Sequence, residues 1–114
     1  MLTREQILGA DDLPREKVEV PEWGGSVYVR TMTAAERDAF EQSLVGDGNT
    51  VQLSNVRARL AALTMVDVGG KRLFSDADVE ALGQKSAAAL TRIVEVAQRL
   101  NRLQPDDIED LAGN

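Results

Sequence analysis

Apolar and polar positions along the chain fall into a few regular stretches, and each one implies an element. Lys17-Val-Glu-Val20 alternates with a period of two, as a half-buried strand does. Val27-Tyr-Val-Arg30 resumes the pattern with β-branched and aromatic side chains. Pro21 to Gly25 separates the two runs and predicts an antiparallel hairpin turning at Trp23-Gly24-Gly25. Leu53, Val56, Leu60 and Leu63 recur at helical spacing and predict a helix over Gln52 to Met65. The longest helix is expected from Ser86 to Leu103, where Leu90, Ile93, Val94, Ala97 and Leu100 form a core-facing stripe and Pro105 blocks continuation.

Capping residues sharpen the boundaries. Thr3-Arg-Glu-Gln6 is a capping box that opens a short helix ending near Gly9. Thr33-Ala-Ala-Glu36 is a second, opening a helix with Phe40 and Leu44 on one face. Ser75 caps a further short helix, with Asp76 and Asp78 favourable in its first turn and Gly83 closing it. Gly69-Gly70, between Val66-Asp-Val68 and Lys71-Arg-Leu-Phe74, predicts a tight turn or a tiny hairpin. Gly46 to Thr50 is a loop by composition. No repeat and no long linker divides the chain. The expected architecture is α+β and mostly α-helical, a single domain over residues 1–114 with an N-terminal β-hairpin and a long C-terminal helix.

The long helix has more apolar surface than one small core requires. Ala89, Val96 and Leu103 widen its apolar arc to roughly 200°, against the ~100° that buries a helix on one side. Arg92, Glu95, Arg99 and Arg102 occupy the remainder. Two readings stand open: neighbouring elements wrap the helix, or part of the arc meets a partner or another copy. On the second, Ala89, Val96 and Leu103, one heptad apart, form a bare line, and Arg92 and Arg99 beside it reach the acidic ends of a neighbour. Trp23 at the hairpin bend and Tyr28 on the second strand join these as candidate partner-facing residues, since Trp and Tyr concentrate at interfaces. The alternative for Trp23 is that its ring folds back over the core.

Composition then excludes most chemistry. The chain has no cysteine and no histidine, so disulfides, thiolate zinc sites, Ser-His and Cys-His dyads and the usual general base are all missing. Gly69-Gly70-Lys71 fails as a phosphate loop, because Met65 and Arg72 stand where that loop needs Gly and Ser or Thr. Asp76, Asp78 and Glu80 begin like a calcium loop, but Ala81 and Ala87 occupy its glycine and glutamate positions. No catalytic, metal-binding or cofactor-binding residue is assigned, and the protein is expected not to be an enzyme. The net charge of −6 and the four aromatic residues argue against nucleic acid, and no apolar run spans a membrane. The acids cluster at the ends, and Pro105-Asp-Asp-Ile-Glu-Asp-Leu111 is an acidic tail that is solvated or docks on a basic partner.

Val18-Glu-Val-Pro-Glu-Trp-Gly-Gly-Ser-Val-Tyr-Val-Arg30 with Thr33-Ala-Ala-Glu-Arg37 resembles the N-terminal half of a phage tail assembly chaperone family. Arg72-Leu-Phe-Ser-Asp-Ala-Asp-Val-Glu-Ala-Leu82, followed by Ser86 through Leu103, is similar to its second half. The likeness runs from about Thr3 to Leu111, and the order of these segments is more specific than any one of them. The resemblance implies a small bacterial-cytoplasmic protein of a siphophage or prophage, without cofactor or catalytic residues. Such proteins coat the tape measure protein and leave before the tail tube is finished, and in several cases have a longer frameshifted form that recruits the tail tube protein. Many weak contacts along such a client would also favour neighbouring copies touching each other as a homo-oligomer. A structural tail completion or head–tail connector protein, and a small regulatory binding protein, are the competing readings.

Overall fold

The computed structural model describes residues 1–45 and 55–103. Helix α1 spans Arg4–Leu8, with Thr3 and Gln6 completing the expected capping box. Strands β1 (Arg15–Val20) and β2 (Gly25–Arg30) form the hairpin, in antiparallel register with Val18 opposite Val27 and Lys17 opposite Tyr28. The connection is a 3₁₀ turn, Pro21–Trp23, closed by Gly24 N–H donating to the Pro21 carbonyl. Gly24 has φ 71°, a left-handed conformation that costs a side-chain-bearing residue roughly 1 kcal/mol or more. Helix α2 (Ala34–Ser43) starts at the Thr33 capping box and buries Phe40, and Leu44 is buried just past its end.

Helix α3 covers Val56–Thr64, shorter than the expected Gln52–Met65. Its expected first turn, with Leu53, lies outside the described residues, as do the Gly46–Thr50 loop, Pro105 and the acidic tail. Met65 is no longer helical. With Val66 it forms β3, which pairs antiparallel with β2 and gives a sheet ordered β1-β2-β3. The helical spacing of apolar residues through Leu63 conceals that switch, because a two-residue strand is too short for period-two alternation to register. The tiny hairpin is present: Val66 bridges Arg72 across a turn in which Gly70 N–H donates to the Asp67 carbonyl and φ of Gly70 is 86°.

After this turn, Asp76–Asp78 is a 3₁₀ segment capped by Ser75, and α4 (Val79–Leu82) continues it to Gly83. Helix α5 (Ala87–Leu100) is the longest described element, capped by Ser86, which accepts from the Ala89 N–H. It packs against α3 and against β1 and β2, and the core gathers between them. Val18, Val20 and Val29 project from the sheet, Leu60 and Leu63 from α3, and Ile93 and Ala97 from α5.

α5 stops at Leu100, before the expected Leu103. Arg102 turns left-handed at φ 55° and the Leu103 N–H returns to the Gln98 carbonyl at 2.8 Å, a Schellman closure that folds Leu103 into the core. Glycine is the residue this geometry favours. Arg102→Gly is therefore expected to stabilise the protein by about 1 kcal/mol, read as a raised urea midpoint with unchanged m-value.

Candidate interaction surface

Arg92 and Arg99 lie seven residues apart on α5 and face the hairpin. Arg92 Nε donates to Glu22 Oε1 at 2.9 Å and Oε2 at 3.2 Å, and Arg99 Nη2 pairs with Glu16. The hydrogen bond from Arg92, and then the backbone N–H of Glu22, hold the Glu22 carboxyl below its ordinary pKa; the same contact raises Arg92. Both guanidinium groups thus meet carboxylates of their own chain rather than waiting for those of a neighbour. They clip the long helix to β1 and its turn. Because the folded pKa of Glu22 is depressed, the pair contributes stability above the ordinary carboxylate pKa and loses it as pH falls through the folded value. Glu22→Gln is expected to lower the urea midpoint at neutral pH, with the difference from wild type closing as the pH falls through and below the carboxylate range.

The line Ala89–Val96–Leu103 is not bare. Ala89 is fully buried and Leu103 is 6% exposed, while Val96 is half-buried and packs on the core. Of the two explanations for the wide apolar arc, wrapping is the one seen: α3 and the sheet both pack on α5. Leu103 leaves the line altogether because the Schellman turn precedes it. Sequence spacing treats the helix as continuous to residue 103, so this displacement is invisible to it.

Trp23 is half-buried, its ring packed on the core from the hairpin turn. Tyr28, opposite Lys17 in the β1–β2 register, points to the outer face of the sheet, away from Val18 and Val29. The Arg15 guanidinium lies 4.4 Å from the Tyr28 ring centroid, and its Nη1 donates to the Val68 carbonyl at 2.7 Å and to Asp67 at 3.3 Å. Arg15 therefore holds the Asp67–Gly70 turn against the sheet. The turn brings Val68 (75% exposed) and Leu73 (45%) beside Tyr28 and Val66, and with Lys17 they line a cleft of about 380 Å³. A second apolar cleft, about 310 Å³, opens beside Phe40, Leu63 and Val79.

Val68 and Leu73 were not among the residues expected at a surface, and neither were those of α1. No α1 residue is buried; Leu2, Ile7 and Leu8 all stand in solvent. A usable signal existed for α1: its five helical positions include only two apolar residues, too few to anchor it on the core. Nothing comparable marks Val68. Among the described residues, no three His, Cys, Asp or Glu side chains gather as a metal site requires, and no helix is long and apolar enough to cross a membrane. What these surfaces offer is apolar contact edged with single charges.

The sequence matches the family model of the phage tail assembly chaperone over residues 4–113. The chain belongs to that family. Among solved structures, this tail assembly chaperone is similar in fold to that of bacteriophage HK97, with a TM-score of 0.62. The two share 20% sequence identity, over 84% of this chain and 94% of the other. No curated protein matches it in sequence. For a tail assembly chaperone, exposed apolar side chains at α1 and on the outer sheet face are candidate contact points, whereas Ala89 and Leu103 belong to its core.

Proposed function

We propose that this tail assembly chaperone binds the tape measure protein, keeps it soluble in the bacterial cytoplasm during tail morphogenesis, and does so without catalysis. The observation that carries this reading is the family match over nearly the whole chain. Two physical features support it. Four of the exposed large apolar side chains among the described residues, Met1, Leu2, Ile7 and Leu8, lie together at the N-terminus, and two more, Val68 and Leu73, edge the outer sheet cleft. Such surface suits contact with a long helical client that would otherwise aggregate. The net charge of −6 keeps the coated complex soluble.

Many weak contacts along one client favour neighbouring copies that touch each other, so the chaperone works as a homo-oligomer. A longer frameshifted form would add contact with the tail tube protein, while nucleic acid and membranes are not partners. The chaperone leaves before the tail is complete. Mass spectrometry of purified particles tests that: the protein is expected in infected-cell lysate and missing from the virion. Its recovery at stoichiometric level in particles would instead make it a tail completion or connector protein.

A further inference from the structure

We propose that the N-terminal arm, Met1 to Asp12, docks on the outer sheet face of a second copy, seating Ile7 and Leu8 in the cleft formed by Tyr28, Val66, Val68 and Leu73. This rests on the self-association proposed above and names the element that carries it. The arm is prepared for contact yet makes none with the core of its own chain. Its capping box and the Gly9 N–H, which donates to the Glu5 carbonyl, define one helical turn and a half, and no residue of it is buried. Leu2, Ile7 and Leu8 are 74, 56 and 69% exposed. An isolated helix this short is unstable in water, so burial of its apolar side chains supplies what its own hydrogen bonds do not.

The receiving surface is on the same chain, and none of the residues that line the cleft belongs to the arm. The Pro14 carbonyl accepts from the Thr31 N–H, which fixes the end of the linker at the β2 terminus. Asp11, Leu13 and Pro14 then run beside Gly69 and Gly70, and α1 emerges beyond them into solvent. A second copy is thus the partner certain to carry the matching cleft. Charge agrees as well: Lys17 lines the cleft, Asp11 and Asp12 end the arm, and none of the three enters an ion pair among the described residues. Arm into cleft is a heterologous contact, so it propagates into a ring or an open helical chain rather than stopping at a two-fold dimer. An arm of about a dozen residues is smaller than the 20–30 residues a side of a stable interface, which makes each contact weak and the assembly concentration-dependent.

Sedimentation velocity over a wide concentration range tests this, using wild type, Ile7→Asp/Leu8→Asp in the arm and Leu73→Asp in the cleft, with Val68→Asp as a second cleft variant. All four positions are exposed, so urea unfolding of each variant is expected to match wild type. Wild type should form larger species, and each variant alone should associate at least about tenfold more weakly. An equimolar mixture of arm and cleft variants should form a heterodimer, because one intact arm then meets one intact cleft. Folded variants that assemble like wild type, or a mixture that yields no heterodimer, would overturn the arm contact and leave self-association standing. A wild type that stays monomeric throughout would overturn both.

Discussion

Ile93→Ala is expected to lower the unfolding free energy by about 2–5 kcal/mol, the largest loss among the single substitutions considered for this fold. Ile93 is fully buried on α5, the helix packed by both α3 and the sheet. Truncating it removes transfer free energy and leaves a cavity that cannot collapse from one side without disturbing packing on the other. Small domains have only about 5–15 kcal/mol in total, so the loss is a large share of the protein's stability and the unfolding midpoint should fall markedly. Urea denaturation followed by the single tryptophan, Trp23, reports the shift, since its ring packs on the same core. A loss below 1 kcal/mol would mean that α5 is not central to the core.

Asn101→Ala is the second. Asn101 is buried at the C-terminal end of α5, where its Oδ1 accepts from the Met32 N–H at 2.6 Å and its Nδ2 donates to the Ala97 carbonyl at 2.8 Å. Its own carbonyl accepts from Arg37 Nη1. One side chain therefore ties the end of α5 to the segment that enters α2. Alanine would leave the Met32 N–H buried without an acceptor, at a cost of about 1–3 kcal/mol. The neighbouring Arg102→Gly is expected to move stability the other way, so the pair separates the polar tie from the backbone turn. Hydrogen exchange at the Met32 amide gives the local readout: protection should fall in Asn101→Ala and persist in Arg102→Gly. Unchanged protection in both would contradict the assigned hydrogen bond.

The elements that local chemistry specifies could be read from the sequence. Thr3, Thr33 and Ser75 each form the cap their spacing implies, and the β1–β2 pair and the Val66–Arg72 bridge lie where alternation and Gly-Gly place them. Each depends on residues within a few positions of one another. What was hidden depends on partners distant in sequence. Met65 and Val66 join β2 from nearly forty residues away, and α5 receives both α3 and the sheet. A wide apolar arc on one helix says that much must be covered, not what covers it. The arginines show the same limit: Arg92 and Arg99 mark a charged flank, but Glu22 and Glu16 become their partners only once the hairpin folds onto α5. The candidate interaction surface was the least legible part. Val68 and Leu73 are ordinary apolar residues in sequence, and it is their exposure that sets them apart, whereas the sparse apolar content of α1 already hinted that Ile7 and Leu8 stay outside the core.

Co-expression of the tape measure protein with and without this chaperone tests the central claim most directly. The tape measure protein is expected to be largely insoluble alone, to move to the soluble fraction with the wild-type chaperone, and to co-purify with it in a complex of many copies per client. A tape measure protein equally insoluble in the presence of folded chaperone, with no co-purification, would contradict the account.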